Sequence, residues 1–171
     1  SGTSDIDLSC LDVIDGALEI DMCGATHIDL SSVASVGDGV QIHDNYDTES
    51  IDLGSLTSIG ESFNINSNVD LEELTLTSLE TIDGQLYLSS NNSLSTFSVP
   101  ALTLVEGSLQ FNSNSGIEEV HFDNLTTVEG QFQFDYNHNV EVISMPNLSE
   151  LCGQLYIYSN ISLVGIDLGA L

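Results

Sequence analysis

The stretch "VEGSLQFNSN" (residues 105–114) is followed, 23 positions later, by "VEGQFQFDYN" (residues 128–137). Apolar residues exchange for one another between the copies (Leu109 for Phe132), but Gly107/Gly130 and Asn114/Asn137 keep their identity. In each copy a polar residue separates two apolar ones, as in Leu109-Gln110-Phe111. That two-residue period marks a strand with one face buried. The step of 23 asks whether the pattern extends beyond two copies.

It runs along the whole chain. The apolar pair recurs as Val40/Ile42, Phe63/Ile65, Leu86/Leu88, Leu109/Phe111, Phe132/Phe134 and Leu155/Ile157. A second pair recurs as Ile28/Leu30, Ile51/Leu53, Leu74/Leu76, Phe97/Val99, Val120/Phe122, Ile143/Met145 and Ile166/Leu168. Single apolar residues follow at fixed offsets, at Val33, Leu56, Leu79, Leu102, Leu125, Leu148 and Leu171, then at Val36, Ile59, Ile82, Val105, Val128 and Leu151. The first unit (Ile6, Leu8, Leu11, Ile14, Leu18, Ile20) is one residue short, the deletion falling between Ile20 and Ile28. Two short strands per unit, separated by bends, leave no room for helices. Stacking like units places like residues in columns about 4.8 Å apart and closes a continuous core. The expected fold is all-β: a parallel β-helix or leucine-rich-repeat-like solenoid of about seven coils of 23 residues, with two short strands per coil. It is read as one repeat domain over residues 1–171, with coil starts near 6, 28, 51, 74, 97, 120, 143 and 166, belonging to a longer chain or assembly.

One column is polar: Asn45, Asn68, Asn91, Asn114, Asn137 and Asn160, with Cys23 in the short first coil. A buried asparagine amide can satisfy backbone groups left unpaired where a strand ends, and stacked amides can bond to one another. Cysteine is small enough for the same slot. The expectation is a structural ladder. Gly84, Gly107, Gly130 and Gly153 form another column, with Glu61 and Asp38 in earlier coils, and suggest a tight or positive-φ bend.

The chain carries 27 acids, no lysine or arginine and four histidines, for a formal charge of −27. Ordinary usage would place Lys or Arg at roughly one position in ten. Nothing here can neutralise phosphates, which excludes nucleic-acid binding and disfavours anionic membranes. Apolar runs are too short to span a bilayer, so direct membrane insertion is not expected. With 41 % hydrophobic residues the chain can still build a core. The charge fits a cation-rich setting or a cationic partner; halophilic adaptation is a rival account.

The repeat reads L-x-x-[IV]-x-G-x-[LF]-x-[IF]-x-x-N-x-x-[LIV], clearest in "LTLVEGSLQFNSNSGI" (102–117) and "LTTVEGQFQFDYNHNV" (125–140). This resembles the receptor L-domain family, in particular the fungal cell-wall proteins that carry such units; bacterial surface leucine-rich repeats are a further likeness. The resemblance covers residues 6–171 and implies an extracellular or cell-surface location, with a role in binding, adhesion or matrix structure rather than catalysis. Absence of basic residues departs from that pattern.

Acids also form columns. Asp7, Asp29 and Asp52 point outward between apolar residues, and Glu49, Glu72, Glu118 and Glu141 precede the same strand. Like charges about 5 Å apart repel, so these columns are candidate sites for Ca²⁺ or another hard divalent cation; the competing reading is a solvated face screened by salt. No cofactor is otherwise required. Of four sequons, Asn91 and Asn160 belong to the inward ladder, whereas Asn124 and Asn147 occupy outer bends where a glycan could sit. Cys10 and Cys23 could clip the first coil as a disulfide, and Cys152, in a bend column, could link to another chain. The histidines (His27, His43, His121, His138) show no metal spacing, though two could meet across turns. Uniform coils without long insertions build no cleft, so no enzyme is expected. Flat threonine arrays for ice binding are absent, because Thr75-Leu76-Thr77 is not repeated.

Leu171 stops on the column of Leu148, so further repeats, a cap or a stacked neighbour is expected beyond it. The functional expectation is a non-enzymatic structural or adhesive module of a wall, matrix or surface filament. Its partners would be copies of itself, other wall or matrix proteins, glycans and divalent cations. A receptor-like ectodomain that binds a protein or glycan on a sheet face is the alternative.

Overall fold

The computed structural model describes residues 5–169 and 171. Residues 1–4 and 170, within the expected domain, lie outside the described residues. The chain is an all-β parallel solenoid of about seven turns, each roughly 23 residues from the next. Every strand pairing is parallel and in register with the repeat: Phe63 opposes Leu86, Leu86 opposes Leu109 and Leu109 opposes Phe132.

A typical coil holds Ser50–Asp52, Ser58–Ile59 and Phe63–Asn66. The two apolar pairs of the repeat are thus strands of three and four residues, and a third, two-residue strand surrounds the single apolar Ile59. Two residues are too short to show alternation, which hides this strand from pattern reading. Stacked coils give three ladders. The four-residue and two-residue strands form continuous seven-stranded sheets. The three-residue strands form two four-stranded sheets, interrupted between Glu73–Thr75 and Thr96–Ser98. That gap is a cavity of about 330 Å³ lined by Glu72, Glu73, Leu74, Thr75, Ser95, Thr96 and Ser98. It coincides with the step from Leu74 to the larger Phe97.

The columns point inward as their alternation requires. Phe63, Leu86, Leu109 and Phe132 are buried, as are Ile65, Leu88, Phe111 and Phe134. Each such side chain contributes about 1.5–3 kcal/mol relative to exposure. In the middle coils phenylalanines fill the core edge to face, with Phe97 and Phe111 ring centroids 5.0 Å apart and Phe111 and Phe122 5.9 Å apart.

Candidate functional site

The asparagine column is a hydrogen-bonded ladder. Asn68 Oδ1 accepts the backbone N–H of Asn45 at 3.2 Å and Asn45 Nδ2 at 3.1 Å. Asn68 Nδ2 donates to the carbonyl of Ile42 at 2.9 Å. The same three bonds repeat from Asn91 back to Asn68 and Ile65, and from Asn114 back to Asn91 and Leu88. Asn137 continues toward Asn114 and Phe111, and Asn160 toward Asn137 and Phe134. At the other end the Cys23 N–H donates to Asn45 Oδ1 at 3.0 Å. No described buried side-chain polar atom is left unsatisfied.

The residue before each ladder position is left-handed: Met22, Asp44, Ser67, Ser90, Ser113, Tyr136 and Ser159 have φ between 46° and 59°. None is glycine, so the ladder holds a backbone conformation these side chains disfavour. The one-residue deletion of the first coil falls in the bend after Cys23, where Gly24 has φ 44°. One coil later Thr48 replaces the apolar residue of the Leu71 column and donates its hydroxyl to the Ala25 carbonyl at 2.6 Å.

The glycine column answers to a different constraint from the expected positive-φ bend. None of Gly84, Gly107, Gly130 and Gly153 has positive φ. A Cβ on Gly107 would lie 2.6 Å from the Gly84 carbonyl carbon, and one on Gly153 would lie 2.4 Å from that of Gly130. Successive coils approach backbone to backbone here, as in the Gly107 N–H to Gly84 O bond of 2.9 Å. In earlier coils the crowded position shifts by one residue: a Cβ on Gly60 would lie 1.9 Å from the Gly37 carbonyl oxygen. Asp38 and Glu61 are tolerated because their glycine neighbours take the close contact.

The acidic columns are divided in role. Asp7, Asp29 and Asp52 stack in register, and each accepts the N–H two residues on, from Ser9, Ser31 and Gly54, at 3.0, 3.0 and 2.9 Å. They close the bend after their strand. The bonds from Ser9 hold the Asp7 carboxyl below its ordinary range. Glu49, Glu72, Glu118 and Glu141 are exposed, with the Glu72 N–H on the Glu49 carbonyl and the Glu141 N–H on that of Glu118. None of these seven belongs to the one described group of three donors close enough to share an ion, which is Asp21, His43 and Asp44.

Asn124 and Asn147 are exposed, but each Nδ2 donates to a carbonyl of the preceding coil, Pro100 and Asp123, at 2.7 Å. One amide hydrogen of each is therefore engaged. Cys10, Cys23 and Cys152 carry free thiols. Glu150 accepts from Cys152 Sγ at 3.5 Å and, with burial and Glu129, pushes the thiol above its usual range, which lowers its thiolate fraction. The histidines meet other groups rather than each other: His27 faces Ser50, His121 faces Glu119, His138 faces Tyr136, and His43 lies between acids.

The outer face of the four-residue strands differs from the acidic edge. In the middle coils Asn64, Asn66, Tyr87, Ser89, Gln110, Asn112 and Gln133 lie there with Asp135, whereas the first coil places Glu19 and Asp21 on the same face. Amides bond along this face, Gln85 Nε2 to Asn64 Oδ1 at 3.2 Å and Gln131 Nε2 to Gln133 Oε1 at 3.1 Å. Among the described residues there is no helix long and apolar enough to cross a membrane. Comparison with protein-family models, curated proteins and solved structures finds no match to this chain.

Proposed function

We propose that this chain is a non-enzymatic structural module of an extracellular wall, matrix or surface filament. The observation that supports this reading is the uniformity of the coils: from Ser50 to Asp167 corresponding strand residues recur at steps of 23. A cross-section repeated without insertions suits stacking better than a reaction cleft. The resemblance of the repeat to receptor L-domain units supports a surface location. Leu11, Val13 and Met22 on the first coil and Leu155, Ile161 and Val164 on the last are exposed, which supports packing of these apolar faces against a stacked neighbour. The stacked acids, unrelieved by any basic side chain, support bridging by Ca²⁺ or a similar cation between neighbours. Sedimentation and negative-stain imaging with and without EDTA test this. Calcium-dependent assembly or filaments are expected; a monomer indifferent to calcium and EDTA overturns the bridged assembly.

A second reading, a binding ectodomain, is favoured by the amide- and hydroxyl-rich outer face of the four-residue strands. A largely uncharged hydrogen-bonding stretch, from Asn64 to Gln133, on a chain of charge −27 suits a neutral glycan or a polar protein surface. Saturable binding on a glycan panel, lost in Tyr87→Ala and Gln110→Ala, would support it. Absence of binding with the fold intact would leave the first reading.

A further inference from the structure

The first two coils place an imidazole and two carboxylates together where the acidic columns do not. Asp21 and His43 are register partners at the outer ends of Leu18–Asp21 and Val40–His43. Asp44, next in the chain, is left-handed at φ 56°. Nδ1 of His43 lies 3.3 Å from Asp21 Oδ1 and 3.2 Å from Asp44 Oδ2. Corresponding pairs in later coils, such as Asn66-Ser67, Ser89-Ser90 and Asn112-Ser113, offer no comparable set.

We propose that Asp21, His43 and Asp44 bind a divalent transition-metal ion of the zinc type. Zinc bonds to imidazole nitrogen and carboxylate oxygen at about 2.0–2.2 Å, so the edge between two ligands on a tetrahedron spans roughly 3.3–3.5 Å. The two nitrogen–oxygen separations are close to such edges, and the ligand atoms of all three residues lie within 4.8 Å of one another. A second arrangement fits the same role. His43 Nε2, the nitrogen facing away from the two aspartates, lies 3.8 Å from Glu19 Oε1. At 3.8 Å Glu19 is too far for a direct hydrogen bond and favours a proton on Nε2 only through its charge, which suits a metal on Nδ1. The Tyr46 hydroxyl donates to Asp44 Oδ1 at 3.0 Å and leaves Oδ2 facing His43.

The donor set discriminates among ions. Calcium prefers six to eight oxygens, whereas one imidazole and two carboxylates suit zinc, cobalt or manganese, with water completing the coordination. Side chains that are about one-quarter to one-third exposed leave room for that water. The inference is independent of the structural role proposed above, which rests on the coil repeat and the outer acids.

Cobalt(II), titrated into the full chain at neutral pH, tests the site by its visible absorption. The expected result is one ion per chain, displaced by Zn²⁺ and not by millimolar Ca²⁺. His43→Ala and Asp21→Asn should weaken binding at least tenfold, with unchanged circular dichroism, while Glu119→Gln beside His121 has no effect. If a variant misfolds, histidine NMR signals of the unaltered protein report instead: Co²⁺ should shift His43 before His121. Equal binding by His43→Ala, displacement by Ca²⁺ at the concentrations at which Zn²⁺ acts, or absence of a His43 shift overturns the proposal and leaves an imidazole in polar contact with two carboxylates.

Discussion

Oδ1 of Asn114 accepts both the backbone N–H of Asn91, at 3.1 Å, and the Asn91 side-chain amide, at 3.4 Å. Its own Nδ2 donates to the Leu88 carbonyl at 3.0 Å. One side chain thus satisfies three buried groups of the preceding coil.

Removing it orphans the Asn91 N–H and the Leu88 carbonyl, while Asn91 Nδ2 keeps its bond to Ile65. Each unsatisfied buried group costs about 1–3 kcal/mol, so Asn114→Ala should lose at least about 2 kcal/mol. Asn160→Ala, at a partly buried rung with two such bonds, should lose less. Urea unfolding followed by circular dichroism compares them; equal losses would show that the ladder contributes no more at its centre than at its edge.

The left-handed column offers the opposite sign. Ser113 has φ 59°, a conformation costing a non-glycine residue roughly 1–2 kcal/mol. Glycine avoids that cost but loses about 0.5–1 kcal/mol in chain entropy. Ser113→Gly should therefore be neutral to mildly stabilising, and Ser113→Val clearly destabilising. Thermal melts of the two variants decide it.

At the backbone contact between coils, Gly107→Ala should destabilise by about 1–3 kcal/mol, because the added methyl enters the space of Gly84. Gly165→Ala is the control, since nothing lies within 4 Å of its added Cβ. It should be neutral or slightly stabilising, as measured by denaturant midpoint.

The charge makes stability depend on salt and pH. Screening shortens from about 10 Å at 0.1 M salt to about 3 Å at 1 M, so Tm should rise with NaCl. Calorimetry from 0.01 M to 1 M checks this, and a flat Tm would show that the acids do not strain the fold. Hydrogen bonds from His43, then Tyr46, hold the Asp44 carboxyl below its ordinary value of 3.8. The folded state thus favours the ionised form. Its contribution is present above the unfolded value and lost as pH falls through the folded one. The Tm gap between the parent chain and Asp44→Asn should therefore close only below about pH 4.

The coil step and the inward columns were legible because a solenoid writes each contact as a fixed interval: Leu86, Leu109 and Phe132 announce their stacking by position alone. The third ladder was not, because Ser58–Ile59 is too short to show a period. The left-handed column was hidden by its residue types, since serine, tyrosine and methionine carry no preference for positive φ at Ser67, Tyr136 or Met22. Glycine recurrence between coils was visible at Gly107 and Gly130, but its reason is the backbone-to-backbone approach of stacked coils rather than φ. For Asp21, His43 and Asp44 the signal existed in part. The one-residue deletion pairs Asp21 with His43, but bringing in Asp44 required the bend geometry.

The interruption between Glu73–Thr75 and Thr96–Ser98 has a mechanical meaning. Most neighbouring coils are fastened along three lines, but these two are fastened along two. Under tension along the solenoid axis the rod is weakest at that seam. It would open there like a book, with the four-residue and two-residue sheets as its spine and Glu72, Glu73 and Ser95 on the parting edges.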